Sequence, residues 1–212
     1  METLPRHQCL VYEGPPSRQL PALVAVTRTK LQQNYRCLYL NSPTMVAGMR
    51  SYLAAAGIDV AEATARGSLV VSSEQSLGIG YEFDIEIMLD GLRAALDSAL
   101  ADGYSGLWAT GDMAWEFGPQ KDFSKLLEYE WRLEEFLAAN PEMSGICQYR
   151  ADMLPRTAMR HGVLSHRGIF LNETLSLMNP QYRHPEVFSF EAEENLEIDS
   201  VVNQLIAQGA PN

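Results

Sequence analysis

At 212 residues the chain has room for one full domain with an appendage, or for two small ones, and its 46% apolar and 20% charged residues are ordinary for a globular protein. Sixteen basic against 27 acidic residues leave a net charge of −11, which argues against a nucleic-acid surface, where Lys and Arg must neutralise phosphates. No stretch approaches 18 apolar residues and the amino terminus lacks a basic start followed by an apolar run, so neither a membrane span nor a leader is expected.

The first strand is predicted over 9–12, followed by a Gly/Pro loop at 13–19 and a helix over 20–33, with Leu20, Leu23, Thr27 and Leu31 at helical spacing. A second strand fits 36–40. Ser42-Pro43 then opens a helix that carries Met45, Met49 and Leu53 and ends at Gly57. The third strand is 69–71, and a loop over 75–83 leads to Asp84 as a helix cap. The helix over 85–101 has the plainest apolar face, built from Ile85, Met88, Leu89, Leu92 and Leu96. Strand 106–110, a loop over 111–121, helix 122–139, strand 145–149, a short helix over 154–163 and a last strand at 168–170 complete the pattern. The three widely spaced cysteines (Cys9, Cys37 and Cys147) each fall inside an apparent strand. They are expected as reduced, buried thiols in a cytoplasmic protein.

Repeated alternation of strand and helix specifies an α/β fold: a mostly parallel sheet with helices on both faces, in three layers, Rossmann-like. Residues 1–185 are expected as the domain and 186–212 as an acidic tail or docking helix, with Leu196, Val201, Val202, Leu205 and Ile206 as its apolar stripe. In such sheets ligands bind beyond the carboxyl ends of the strands. This places Tyr12, Arg18, Asp112, Trp115, Gln148 and Tyr149 around one crevice, with Asp112 equally readable as a helix cap and Arg18 as a solvated charge. Glu130 lies on the apolar stripe of its helix, four residues after Leu126 and three before Leu133. A buried acid there needs a structural partner or faces a ligand. His7, His161 and His166 show no metal-ligand spacing with the cysteines, so no metal is expected. A His–Cys site assembled through space, from His7, Cys147 and His161, is the alternative.

Several ordered segments carry a resemblance: His7 to Glu13, Cys37 to Asn41, Ala56 to Val60 with Gly67 to Val71, Gly103 to Trp115, Leu126 to Glu130, and Cys147 to Tyr149. Together they resemble the MEDS domain, a sensory domain named after methanogens, methylotrophs and the dichloromethane-dehalogenase regulator, over roughly 5–183. The domain is similar in outline to the RecA/KaiC-type ATPases. The resemblance implies binding of small organic effectors, simple hydrocarbon derivatives, in prokaryotic signalling or transcription regulation. Members of the family often carry an output domain. Nothing after residue 185 is long enough to be one, so action through a protein partner such as a kinase or regulator is expected, with no direct nucleic-acid or membrane contact.

The ATPase chemistry is not expected to survive. The loop Glu13-Gly14-Pro15-Pro16-Ser17-Arg18-Gln19 lacks Gly-Lys-Ser/Thr, and its prolines have no N–H to offer a phosphate. Asn41-Ser42 stands where KaiC-like enzymes place an acidic pair. The sequence therefore reads as a non-catalytic sensor that carries no cofactor. A degenerate nucleotide-binding module and a protein-interaction scaffold are the alternatives.

Overall fold

Seven strands are hydrogen-bonded into one sheet in the order β3-β2-β4-β5-β1-β6-β7: β1 (His7–Tyr12), β2 (Tyr35–Leu40), β3 (Leu69–Ser72), β4 (Gly106–Asp112), β5 (Met143–Arg150), β6 (Gly168–Asn172) and β7 (Leu175–Met178). All neighbours run parallel except β6 and β7, which form an antiparallel hairpin at the edge. The computed structural model describes residues 5–15, 18–74, 83–117, 122–189 and 196–209. Most of the expected loop at 75–83, part of the loops at 13–19 and 111–121, and the acidic run at 190–195 lie outside them.

Parallel pairing requires crossovers, and the helices supply them while covering both faces. On one face α1 (Leu20–Gln32), α2 (Pro43–Ala55) and α3 (Val60–Ala65) pack with Leu10, Tyr12, Cys37, Tyr39, Trp108 and Ile146. On the other, α4 (Ile85–Ala101), the single turn α5 (Met113–Glu116), α6 (Leu126–Ala139), α7 (Arg156–Ser165) and α8 (Ile198–Gly209) bury Cys9, Val11, Leu107, Cys147, Tyr149 and Ile169. The three-layer α/β fold expected from the alternation is present.

Local chemistry explains most boundaries. Asp84 caps α4, its Oδ1 accepting the Ile87 N–H at 3.0 Å, and Pro43 sits in the first turn of α2. The helix expected at 122–139 begins at Leu126, because Asp122 spends its carboxylate on a turn through the Ser124 N–H. The pattern missed α3, six residues capped by Asp59, and β7, which is short and half exposed. β4 runs two residues further than expected and takes in Gly111 and Asp112.

The acidic carboxyl-terminal stretch contains a helix with a core role. Ile198, Val202 and Leu205 of α8 are buried in the same cluster as Val11, Ile169 and Leu171. No helix among the described residues is long and apolar enough to cross a membrane. Cys9, Cys37 and Cys147 are all buried free thiols in strands.

Candidate functional site

The six residues expected around one crevice, with Glu130 behind them, divide between the two faces of the sheet. Side chains alternate along a strand, so the neighbours Gln148 and Tyr149 of β5 point in opposite directions. This corrects the expectation that both face one ligand. Gln148 is buried on the α1–α2 side and donates from Nε2 to Thr110 Oγ1 at 2.9 Å. Tyr149 is buried on the α6 side and donates its hydroxyl to Glu130 Oε1.

Tyr12 and Asp112 do meet at the carboxyl ends of β1 and β4, through a 3.0 Å bond from the Tyr12 hydroxyl to Asp112 Oδ2. Asp112 is buried and also caps α5, accepting the Trp115 N–H at Oδ1. The pair is therefore satisfied within the protein. Arg18 is exposed and, with Tyr12, Gln19 and Tyr52, lines an outer groove of about 610 Å³. Trp115 is partly buried and Glu130 fully so. At the end of β2, Asn41 is buried and turned onto its own neighbours, taking the Ser42 N–H at Oδ1 and donating to the Tyr39 hydroxyl.

The densest polar chemistry lies beneath the sheet, between β1, β5, α6 and the start of β6. His7, Glu130, Cys147 and His166 offer four ligand-type atoms that all lie within 4.8 Å of one another, and all four residues are buried. The alternation of β5 brings Cys147 and Tyr149 to this face, Glu130 comes from the apolar stripe of α6, and the parallel pairing of β1 with β6 sets His7 beside His166. The imidazole rings of His7 and His166 are 4.0 Å apart, centroid to centroid. His7 Nε2 stands 3.2 Å from Glu130 Oε2 and 3.5 Å from Cys147 Sγ. Its Nδ1 donates to Glu134 Oε2 at 3.0 Å, and Arg167 pairs with the other oxygen of Glu134 at 2.9 Å. His166 donates from Nδ1 to the Gly162 carbonyl at 2.7 Å, and its Nε2 lies 3.5 Å from Glu130 Oε2.

Burial alone would raise the Glu130 carboxyl, but His166, His7 and the Tyr149 hydroxyl hold it below its usual range. Burial would likewise lower His7, yet the bonds to Glu130 and Glu134 outweigh it and lift the imidazole to about 9. His166, desolvated and beside His7, falls to about 4. Cys147 is pushed well up by burial and by the Glu130 charge. His7 and Cys147 do meet, as the through-space alternative required, but the second imidazole is His166, and His161 is not a member of the cluster.

Beside the cluster is a small cavity of about 40 Å³ between the sheet and α4, α5 and α6. Met88, Leu92, Ala109 and Leu133 contribute apolar wall, and His7, Cys147 and Glu116 are its polar margin. Glu116 is buried with its carboxylate lying against Gly111, in the space a Cβ would occupy there. The sequence signal for this site was Glu130, an acid on an apolar stripe. Glu116, Glu134 and His166 carried no comparable one.

The sheet and its helices define a three-layer α/β domain with a buried polar centre under one face. The model of the family described as MEDS, the methanogen/methylotroph, DcmR sensory domain, matches residues 6–167, and the chain belongs to that family. No curated protein matches the chain. The matched region contains β1 and α6 entire and reaches past His166, so all four cluster residues lie within the sensory domain.

Proposed function

We propose that the chain is a non-catalytic sensory module that takes a small organic effector into its core and reports occupancy to a protein partner. Membership of a sensory family supports the first half of that reading. The observation that carries it is the 40 Å³ cavity with apolar walls and a margin of His7, Cys147 and Glu116. One water needs about 10–15 Å³ measured in this way, so the space suits a molecule of a few heavy atoms. A mostly apolar wall with a few convergent polar groups is the usual make-up of a small-ligand site. Simple hydrocarbon derivatives with one polar group fit that description.

The outer groove of about 610 Å³ beyond β1 favours a second reading, a nucleotide retained without hydrolysis on a RecA/KaiC-like frame. Its cation Arg18 supports this, while Pro15, with no N–H in the loop, weighs against it. Thermal denaturation separates the two, because a ligand of the native state raises the melting temperature by mass action. Short alcohols, aldehydes and halogenated methanes are expected to produce a saturable rise, and ATP with magnesium none. A rise with ATP and none with the organics would overturn the proposal in favour of the nucleotide reading.

A further inference from the structure

We propose that His7, Glu130, Cys147 and His166 form a binding site for one divalent transition-metal ion of the zinc type. The inference rests on the geometry of the buried cluster and stands apart from the identity of any effector.

Two features point to a metal rather than to a hydrogen-bonded ion pair, and a third is compatible with it. The first is spacing. Zinc bonds of about 2.0–2.1 Å to imidazole nitrogen and carboxylate oxygen, and about 2.3 Å to thiolate sulfur, make tetrahedral edges of roughly 3.3 Å and roughly 3.6 Å respectively. The cluster shows 3.2 Å and 3.5 Å from Glu130 Oε2 to the two histidine Nε2 atoms. Its sulfur stands 3.5 Å from His7 Nε2 and 3.7 Å from Glu130 Oε2.

The second is tautomer control. A carbonyl only accepts, so the Gly162 carbonyl fixes a proton on His166 Nδ1 and leaves the Nε2 lone pair facing the cluster. That Nε2 is buried with no hydrogen-bond partner among the described residues, a cost that an ion pair between His7 and Glu130 leaves standing and a metal removes. His7 is oriented in the same way. Its Nδ1 is held by the Glu134 carboxylate, the carboxylate–histidine arrangement that commonly stands behind metal-bound imidazole. The Tyr149 hydroxyl occupies Glu130 Oε1 and leaves Oε2 turned to the centre.

The third is charge. A thiolate at Cys147 and the Glu130 carboxylate cancel a 2+ ion, and Arg167 balances Glu134, so the buried assembly is neutral. Soft sulfur, imidazole and one carboxylate suit zinc, cobalt or ferrous iron and not magnesium or calcium, which prefer all-oxygen shells. A surface groove lined by Arg6, His7, Trp131, Glu134 and Arg167 gives the ion a path to His7.

The test is titration of the chelator-treated full chain with cobalt(II) chloride, followed by visible and near-ultraviolet absorption, with metal content measured by mass spectrometry. One cobalt per chain is expected, with the intense bands of a four-coordinate ion and a thiolate-to-cobalt charge-transfer band. Cys147→Ser should abolish the charge-transfer band, and Glu134→Gln, which touches the metal only through His7, should weaken affinity by about 10–100-fold. Circular dichroism establishes that each variant is folded. A folded wild-type chain that takes up no cobalt, or a charge-transfer band that survives in Cys147→Ser, would overturn the site and leave the cluster as an ion-pair network.

Discussion

Glu130 is fully buried, and it remains ionised only because its neighbours were placed for it. The Tyr149 hydroxyl holds one oxygen, while His7 and His166 face the other. Gly162 of α7 makes room for this, since a Cβ there would collide with the Tyr149 ring. Glu116 is the opposite case. It is buried, and desolvation, Glu130 and Asp112 all push its carboxyl well above the ordinary value of 4.5. An acid whose folded pKa is raised binds its proton more tightly in the native state, so its contribution to stability is present below about 4.5 and is lost as pH rises through the folded value. Glu116→Gln removes that term while keeping the shape. The variant should lose less stability than wild type when denaturation is measured at increasing pH from about 4.5 upward. Identical pH slopes for the two proteins would show that Glu116 is ionised in the native state.

Helix α8 shows how an element with an acidic surface still belongs to the core. Its apolar stripe was readable from Val202, Leu205 and their neighbours, but whether the stripe docks depends on an unfilled face elsewhere. Here that face is formed by Val11, Ile169 and Leu171. Burying a Val, Leu or Ile side chain contributes about 1.5–3 kcal/mol, so Ile198, Val202 and Leu205 together supply roughly 5–9 kcal/mol, an upper estimate. A chain ending at residue 189 is therefore expected to melt about 10 °C lower or more. An unchanged melting temperature would make α8 a loosely held appendage. The elements with strong periodicity, α4 above all, were legible in the sequence. Those that periodicity missed, α3 and β7, are too short for a period to establish itself, and α3 was readable only from the family resemblance, which implies a helix between Gly57-Ile58-Asp59 and Gly67.

Strand alternation was enough to read the architecture of the whole molecule, because crossovers leave few other ways to bury helices on a parallel sheet. The site was legible only in part. Glu130 and Tyr149 were named, Tyr149 as a member of a crescent at the strand ends that the two-residue pleat divides between two faces, and Glu130 as a buried acid behind it. The cluster itself depends on strand order. His7 and His166 are 159 residues apart in sequence and become neighbours only because β6 pairs with β1, and Cys147 reaches them because β5 pairs with the other side of β1. No spacing rule anticipates that. On the function proposed above, the effector enters the core cavity beside this cluster and not the outer groove at the strand ends. That placement is tested most directly by titration calorimetry of a small organic that raises the wild-type melting temperature, repeated on two variants whose folding is checked by circular dichroism. Ala109→Leu fills the cavity and should abolish binding, whereas Arg18→Ala alters only the exposed groove and should bind as wild type does. Binding retained in Ala109→Leu and lost in Arg18→Ala would contradict the account.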